Sequence, residues 1–407
     1  MRSRTLNVMQ IIENLDIGGA QEVVRTLVQY LAADDCQPVV CTFKDGPLRR
    51  DIERAGIEVE VLPARRYSIV ALPLFVWDMV RICKSLAALV NRYDIDVVQT
   101  HLLRGLDFLV LLLLYTTRLR VVLWTFHSAR FELTAFRLPQ HKWMSAPKKY
   151  SHRFLYRVTS RLASSFIAVS DTVKQSIVET IGPIQDKITV IYNGVDVNRY
   201  GKPVDRVGVR AQLGLEANTR LIAVVATLRE PKGHRYLIAA LASIVMRYPD
   251  LHALFIGDGD LREELQAQVE GLNLGDTIHF LGSRSDVPEL LAASDLFVLP
   301  SLWEGLPMSL LEAMATGLPI VATQVSGTVQ VMLPNETGIL VPPGDTRELA
   351  RAIDRLLSDP VQARVMGAAA RRRVDTEFSA RRQANEHLAL YRRLLDGVSP
   401  STSGRKV

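Results

Sequence analysis

"SLWEGLPMSLLEAMATGLP", residues 301–319, places two glutamates eight positions apart in unlike surroundings: Glu304 among Gly and Pro, Glu312 inside an apolar run. The preceding "DLFVLP" (295–300) reads as a strand, so "SLWEG" is the loop at its carboxyl end. Pro307 suits the first turn of a helix, and Gly317 followed by Pro319 stops it. Strand, loop and apolar helix in that order form one unit of a parallel sheet covered by helices. The helix start leaves free backbone N–H groups near Met308, Ser309 and Leu310, a ready site for phosphate. Glu312 lies three and four residues beyond Ser309 and Met308 and shares their face, about 5–6 Å further along the axis. Such an arrangement can hold a diphosphate at the helix tip, a ribose beside Glu312 and a further group beside Glu304. A plain surface charge at position 312 fits poorly, because Leu310, Leu311, Ala313 and Met314 leave little polar face.

The same alternation runs through the whole chain. The first half offers the strands "LNVMQII", "PVVCTF", "VEVLP", "DVVQTH", "VVLWTFH", "SFIAVS" and "ITVIYN"; the second offers "RLIAVVATL", "HALFIGDG", "TIHFLG", "DLFVLP", "PIVATQ" and "GILVPP". Helix candidates lie near 20–32, 72–91, 103–116 and 171–180. With 407 residues, too many for one ordinary core, the expectation is α/β with two doubly wound, Rossmann-like domains facing a central cleft. The weakly patterned polar stretch 196–219 marks the boundary, giving domains 1–196 and 197–379, then a helix at 380–396 returning to the first domain. Residues 397–407 read as a disordered tail.

Hydrophobic residues make up 48% of the chain and charged ones 23%, which excludes a disordered polyelectrolyte. The longest apolar run, "FLVLLLLY" (108–115), falls short of the roughly 20 residues of a membrane span and reads as a buried helix. Three cysteines (Cys36, Cys41 and Cys83) fit no metal spacing and cannot all pair, which points to a reducing cytoplasm. Residues 1–195 carry 25 Lys/Arg against 18 Asp/Glu, so the first half is basic and suits an anionic partner. No nucleic-acid motif accompanies that charge.

Seven segments, in this order along the chain, resemble the retaining glycosyltransferases of the group-one family, which have the GT-B fold and an E-x7-E motif. They are "DIGGAQ" (16–21), "TFHS" (125–128), "YNGVD" (192–196), "LREPKG" (228–233), "FIGDGDLREEL" (255–265), "FLGSRSDVPELLAASDLFVLPS" (280–301) and "EGLPMSLLEAMATGLPIVAT". The resemblance implies transfer of a sugar from a nucleotide diphosphate sugar to an acceptor hydroxyl, the nucleotide on the second domain and the acceptor on the first. It assigns Glu304 to the transferred sugar, Glu312 to the ribose, and Lys232 to the diphosphate. Gly305, Leu306, Met308, Ser309 and Leu310 line the donor site, with Gly18 and Gly19 letting backbone approach from the first domain. His127 falls beside the anomeric carbon, making His127, Glu304 and Lys232 the catalytic set. The family's arginine, five residues before the lysine, is Thr227 here. Either Arg229 substitutes from a shifted angle, or Lys232 and backbone donors hold the diphosphate alone. His101, ending "DVVQTH", is either acceptor-side or structural.

"DID" (94–96) has the D-x-D form of metal-dependent sugar transferases of another fold, but directly precedes a strand and reads as a turn. No metal site is expected, and no cofactor beyond the donor substrate. Residues 130–165 carry eight Lys/Arg against the single acid Glu132, with Phe136, Trp143, Phe154 and Tyr156 interleaved. That composition suits an anionic membrane surface, the alternative being a solvated face. The expected enzyme therefore works in the cytoplasm, peripheral on the inner face of the membrane, on a lipid-linked or cell-surface glycan. Its rivals are a catalytically silent GT-B module in an assembly complex and a nucleotide-sugar epimerase of similar architecture.

Overall fold

The computed structural model describes residues 5–62, 72–101, 110–111, 113–127, 157, 160, 162–182 and 184–397. Residues 398–407 of the expected tail and most of the basic segment lie outside the described residues, while Gly397 ends a helix. The chain forms two compact units, one of residues up to Tyr192 plus Arg381 onward, the other Asn193–Ala380.

The first unit is built on one sheet of β1 (Leu6–Ile12), β2 (Cys36–Thr42), β3 (Glu58–Val61), β4 (Val97–His101), β5 (Val121–Phe126), β6 (Ser165–Ala168) and β7 (Ile188–Val190). Their order is β3-β2-β1-β4-β5-β6-β7, with every pair parallel. β4, β5 and β6 are buried along their whole length, as expected of strands covered on both faces. The winding reverses between β1 and β4, so the loops leaving these strands diverge and open a crevice at their carboxyl ends. Val110, Leu111 and Leu113 of the long apolar run are buried in this unit, and no helix among the described residues is long and apolar enough to cross a membrane.

Helix Ala380–Gly397 completes the first unit. Ala384, Leu388 and Tyr391 recur at helical spacing and join the core formed by Leu27, Leu31, Val97, Val121 and Leu123. Each leucine so buried contributes about 2 kcal/mol. Arg381 fixes the start of the helix, pairing with Asp34 at 3.1 Å and lying 5.1 Å over the Tyr30 ring.

The second unit's sheet comprises β8 (Arg220–Val225), β9 (Leu251–Ile256), β10 (Ile278–Gly282), β11 (Leu296–Leu299), β12 (Ile320–Thr323) and β13 (Ile339–Val341). The order is β10-β9-β8-β11-β12-β13, again all parallel, so its switch point lies between β8 and β11. The polar stretch 196–219 carries two short helices of the second unit. Asp196 and Asp205 cap the short helices Val197–Tyr200 and Arg206–Gln212, and buried Arg210 donates to the carbonyls of Thr219 and Ala293. Two N-cap aspartates were the available signal.

Candidate functional site

The crevice rule for doubly wound sheets selects the loops after β8 and β11 in the second unit. Lys232 ends the 3-10 turn Glu230–Lys232 after β8. Gly233 follows in the left-handed region at φ 65°, and a Cβ there would collide with the carbonyl oxygen of Pro300 at the end of β11. Only glycine permits that approach. Leu302 N donates to Pro231 O at 2.7 Å, stitching the two loops together. The result is a two-pronged contact: Lys232 Nζ donates to Glu304 Oε1 at 2.7 Å and Oε2 at 2.9 Å. Ser301 Oγ donates to the same carboxylate at 2.7 Å. The Glu304 side chain is 7% exposed and that of Lys232 26%, so the pair faces solvent through the lysine.

The first turn of helix Ser326–Val331, after β12, supports the second loop. Ser326 Oγ donates to Glu304 O at 3.2 Å, and a Cβ at Gly327 would stand 2.7 Å from Gly305 O. Sequence reading missed Ser301, Ser326 and Gly327; the last two stand three and four residues past the end of β12, in the first turn of a short helix.

Helix Met308–Thr316 begins one turn past Glu304. Pro307 is its N-cap, in extended conformation, rather than a first-turn residue. No side chain caps this end, so the first amides, at Met308, Ser309 and Leu310, have no intrahelical partner. The helix is buried nearly all round, and Glu312 is buried with it at 7% exposure. Gly317 ends it in the left-handed conformation, and Arg371 donates to Ala315 O, a cation at a helix carboxyl end. Leu306 is buried and Ser309 is half-buried.

Arg229 is set apart from this group. Its side chain is 64% exposed, and its nearest acid is Asp260 at 4.0 Å. His234, two residues past Lys232, is buried against Phe255 with ring centroids 5.4 Å apart. Burial, then the Lys232 charge, lowers its pKa to about 4.

In the first unit, Gly18 caps helix Gly19–Ala32 after β1 in extended conformation, and this helix end too lacks a side-chain cap. His101 ends β4 and His127 follows β5, the next strand across. Their rings stack at 5.2 Å, with His101 Nδ1 2.9 Å from His127 Nε2. His101 Nε2 lies 2.7 Å from Gln10 Oε1, so both its ring nitrogens are engaged and neither is free for a ligand. His127 Nδ1 is out of contact with solvent and meets no partner among the described residues. Burial, and secondarily the charge of His387, brings the His127 pKa to about 4, so the ring is neutral at ordinary pH. Asp94 and Asp96 sit at the opposite end of β4: Asp94 is in a turn at φ 46°, and Asp96 Oδ2 accepts from Asn7 N at 3.1 Å.

Residues 17–199 match the family described as Glycosyltransferase Family 4, and residues 206–373 match Glycosyl transferases group 1. The chain is 27% identical over 375 residues to the UDP-Gal:alpha-D-GlcNAc-diphosphoundecaprenol alpha-1,3-galactosyltransferase of Escherichia coli, covering 85% of this chain and 94% of the relative. It is 32% identical to the N-acetyl-alpha-D-glucosaminyl L-malate synthase of Bacillus anthracis, over 55% of this chain and 58% of that protein. Among solved structures, HepE of Anabaena in complex with UDP and glucose superposes with a TM-score of 0.79 at 22% identity, over 95% of this chain and 99% of that one. The architecture is GT-B, the two matched families cover the second sheet and all of the first except β1, and the chain belongs to the group-one glycosyltransferases.

Proposed function

We propose that this glycosyltransferase is retaining and metal-independent, moving a sugar from a nucleotide diphosphate sugar to a hydroxyl of a lipid-linked or cell-surface glycan. The observation that carries the reading is the Lys232–Glu304 pair at the switch point of the second sheet, one turn before an uncapped helix tip that buries Glu312. In this scheme the amides of Met308, Ser309 and Leu310 and the Lys232 ammonium meet the diphosphate. Glu312 accepts from the two ribose hydroxyls, and Glu304 orients the transferred sugar through its own. Gly305 and Leu306 line the same loop, and Gly18 and Gly19 meet the donor from the first unit. Arg229, exposed as it is, swings onto the diphosphate only when donor is bound; otherwise Lys232 and backbone amides hold it alone. His127 stands beside the anomeric carbon.

The bond from the anomeric carbon to the diphosphate oxygen breaks, and a bond to the acceptor oxygen forms on the same face. The acceptor's proton passes to the departing phosphate oxygen. Lys232 and the helix amides stabilise the charge that grows there. The complex of HepE with UDP and glucose supports a uridine donor, and the undecaprenol acceptor in the Escherichia coli relative's name supports a lipid-linked one. Such an acceptor places the enzyme on the inner face of the cytoplasmic membrane, reached through the basic segment 130–165. The scheme needs no cofactor, since the nucleotide sugar is a substrate.

The test is transfer, or hydrolysis without acceptor, with the anomer of the released sugar read by NMR. Retained configuration and unchanged turnover in EDTA are expected. An inverted anomer overturns the stereochemistry, and loss in EDTA restored by magnesium or manganese overturns metal independence. Donor binding without turnover would mean a silent module.

A further inference from the structure

The hydrogen bonds behind the His127 ring form one continuous chain through the first unit. His127 Nε2 faces His101 Nδ1 at 2.9 Å, and His101 Nε2 faces Gln10 Oε1 at 2.7 Å. Gln10 Nε2 donates to Tyr391 Oη at 3.1 Å, and Tyr391 Oη donates to Gln99 Oε1. Gln99 Nε2 donates to Thr125 Oγ1 at 2.7 Å, closing the chain on β5, the strand that His127 follows. Gln10, Gln99, His101 and Tyr391 are all buried, so water does not compete for these positions.

Counting protons gives the chain a direction. The Tyr391 hydroxyl has one proton, and it goes to Gln99. The hydroxyl must therefore accept from the Gln10 amide nitrogen, which turns the Gln10 carbonyl toward His101. A carbonyl only accepts, so His101 carries its proton on Nε2. A neutral imidazole has a single N–H, which leaves His101 Nδ1 a lone pair and requires His127 to donate from Nε2. Neutral His127 then presents Nδ1 as a bare lone pair, the same atom that lacks a partner among the described residues. The reverse direction, with both amides turned over, would leave His127 Nδ1 as a donor.

We propose that Tyr391, Gln10 and His101 are positioning residues that lock His127 in the Nε2–H tautomer, so that Nδ1 is a ready acceptor for a hydroxyl of the transferred sugar. The lock is supplied by helix Ala380–Gly397, the same helix that packs on the first sheet and pairs Arg381 with Asp34. The proposal rests on the reading of His127 as a residue beside the sugar, but the tautomer itself does not.

Heteronuclear NMR on protein with isotope-labelled histidine, assigned by His127→Asn and recorded above the histidine titration range, separates protonated from lone-pair ring nitrogens. The expected result is a lone pair at His127 Nδ1 in the native chain. In Tyr391→Phe, Gln10 loses the group that orients it, and the two tautomers mix. In the double variant Tyr391→Phe with Gln10→Glu, the carboxylate can only accept, and the Nε2–H form returns. Turnover should follow the tautomer, falling about tenfold in Tyr391→Phe, the worth of one oriented hydrogen bond, with the donor KM little changed. Should Tyr391→Phe not fold, Gln10→Leu removes the same carbonyl.

A protonated Nδ1 in the native protein, or native ring shifts in the folded Tyr391→Phe or Gln10→Leu variant, overturns the lock. Native turnover in His127→Ala overturns the role of His127 and with it the use of the lone pair, while leaving the tautomer result standing.

Discussion

Lys232→Met removes the cation from a carboxylate that is almost wholly buried. At 2.7–2.9 Å and an effective dielectric of 20, the gross attraction in the pair is about 6 kcal/mol. Desolvation of both ions offsets most of it, so the net worth of the intact pair is small. Removing one partner is different, because Glu304 keeps its desolvation cost with Ser301 Oγ as its remaining side-chain partner among the described residues. A loss of about 2–3 kcal/mol follows, at or below the low end for buried pairs because Lys232 is partly exposed. For a unit of this size, that is roughly 5–10 °C in the melting transition of the second unit. Glu304→Gln in the same chain removes the stranded charge and keeps an acceptor for Ser301. The double variant should therefore return to within about 1 kcal/mol of the native protein, a coupling of about 2 kcal/mol. Transfer activity should not return, since both groups are assigned to the donor. Calorimetric melts of the four proteins, beside transfer assays, complete the cycle. Additive stability losses, or a Lys232→Met cost below about 0.5 kcal/mol, would refute the buried pair.

The remaining expectations can be measured on the same material. Glu312→Ala should weaken free UDP by about 1–3 kcal/mol in isothermal titration, whereas Glu304→Ala leaves UDP binding near native and abolishes turnover; equal losses on UDP would reject this division of labour. His234 and His387 are held neutral by burial, with pKa values near 4 against 6.5 unfolded. The unfolded chain therefore binds protons first, so stability is full above about 6.5 and falls as pH drops toward 4. Each contributes up to about 3 kcal/mol, so urea midpoints that stay flat across that window would contradict neutral burial. Lys148→Gln, Lys149→Gln and Arg153→Gln together should weaken co-sedimentation with anionic vesicles at low salt by about 1 kcal/mol per charge and spare donor hydrolysis. Arg157 is left out because its Nε already donates to Ile181 O at 3.1 Å. Native protein that ignores anionic vesicles at low salt would reject the membrane role.

The thirteen strands of the described residues stand where the short apolar runs indicated, and Gly, Pro and Asp bound the runs. A strand buried along its whole length, such as β5, is mostly apolar, whereas β3 (EVEV) alternates and is partly exposed. The helix after Glu304 was equally legible, since Gly317 and Pro319 can only end it and the apolar run can only be buried. These signals are local. What lies between segments distant in the sequence was not: Lys232 and Glu304 are 72 positions apart, and their contact depends on Gly233 passing against the Pro300 carbonyl. Likewise, the sequence put His101 and His127 at the ends of two strands, but that those strands are neighbours, and the direction of the bonds between the rings, depend on the sheet and on Tyr391, 292 positions from Gln99. Tyr391 reads in sequence as one more apolar position on an amphipathic helix. Periodicity reports which face is buried, and hydrogen-bond partners are decided only when two buried faces meet.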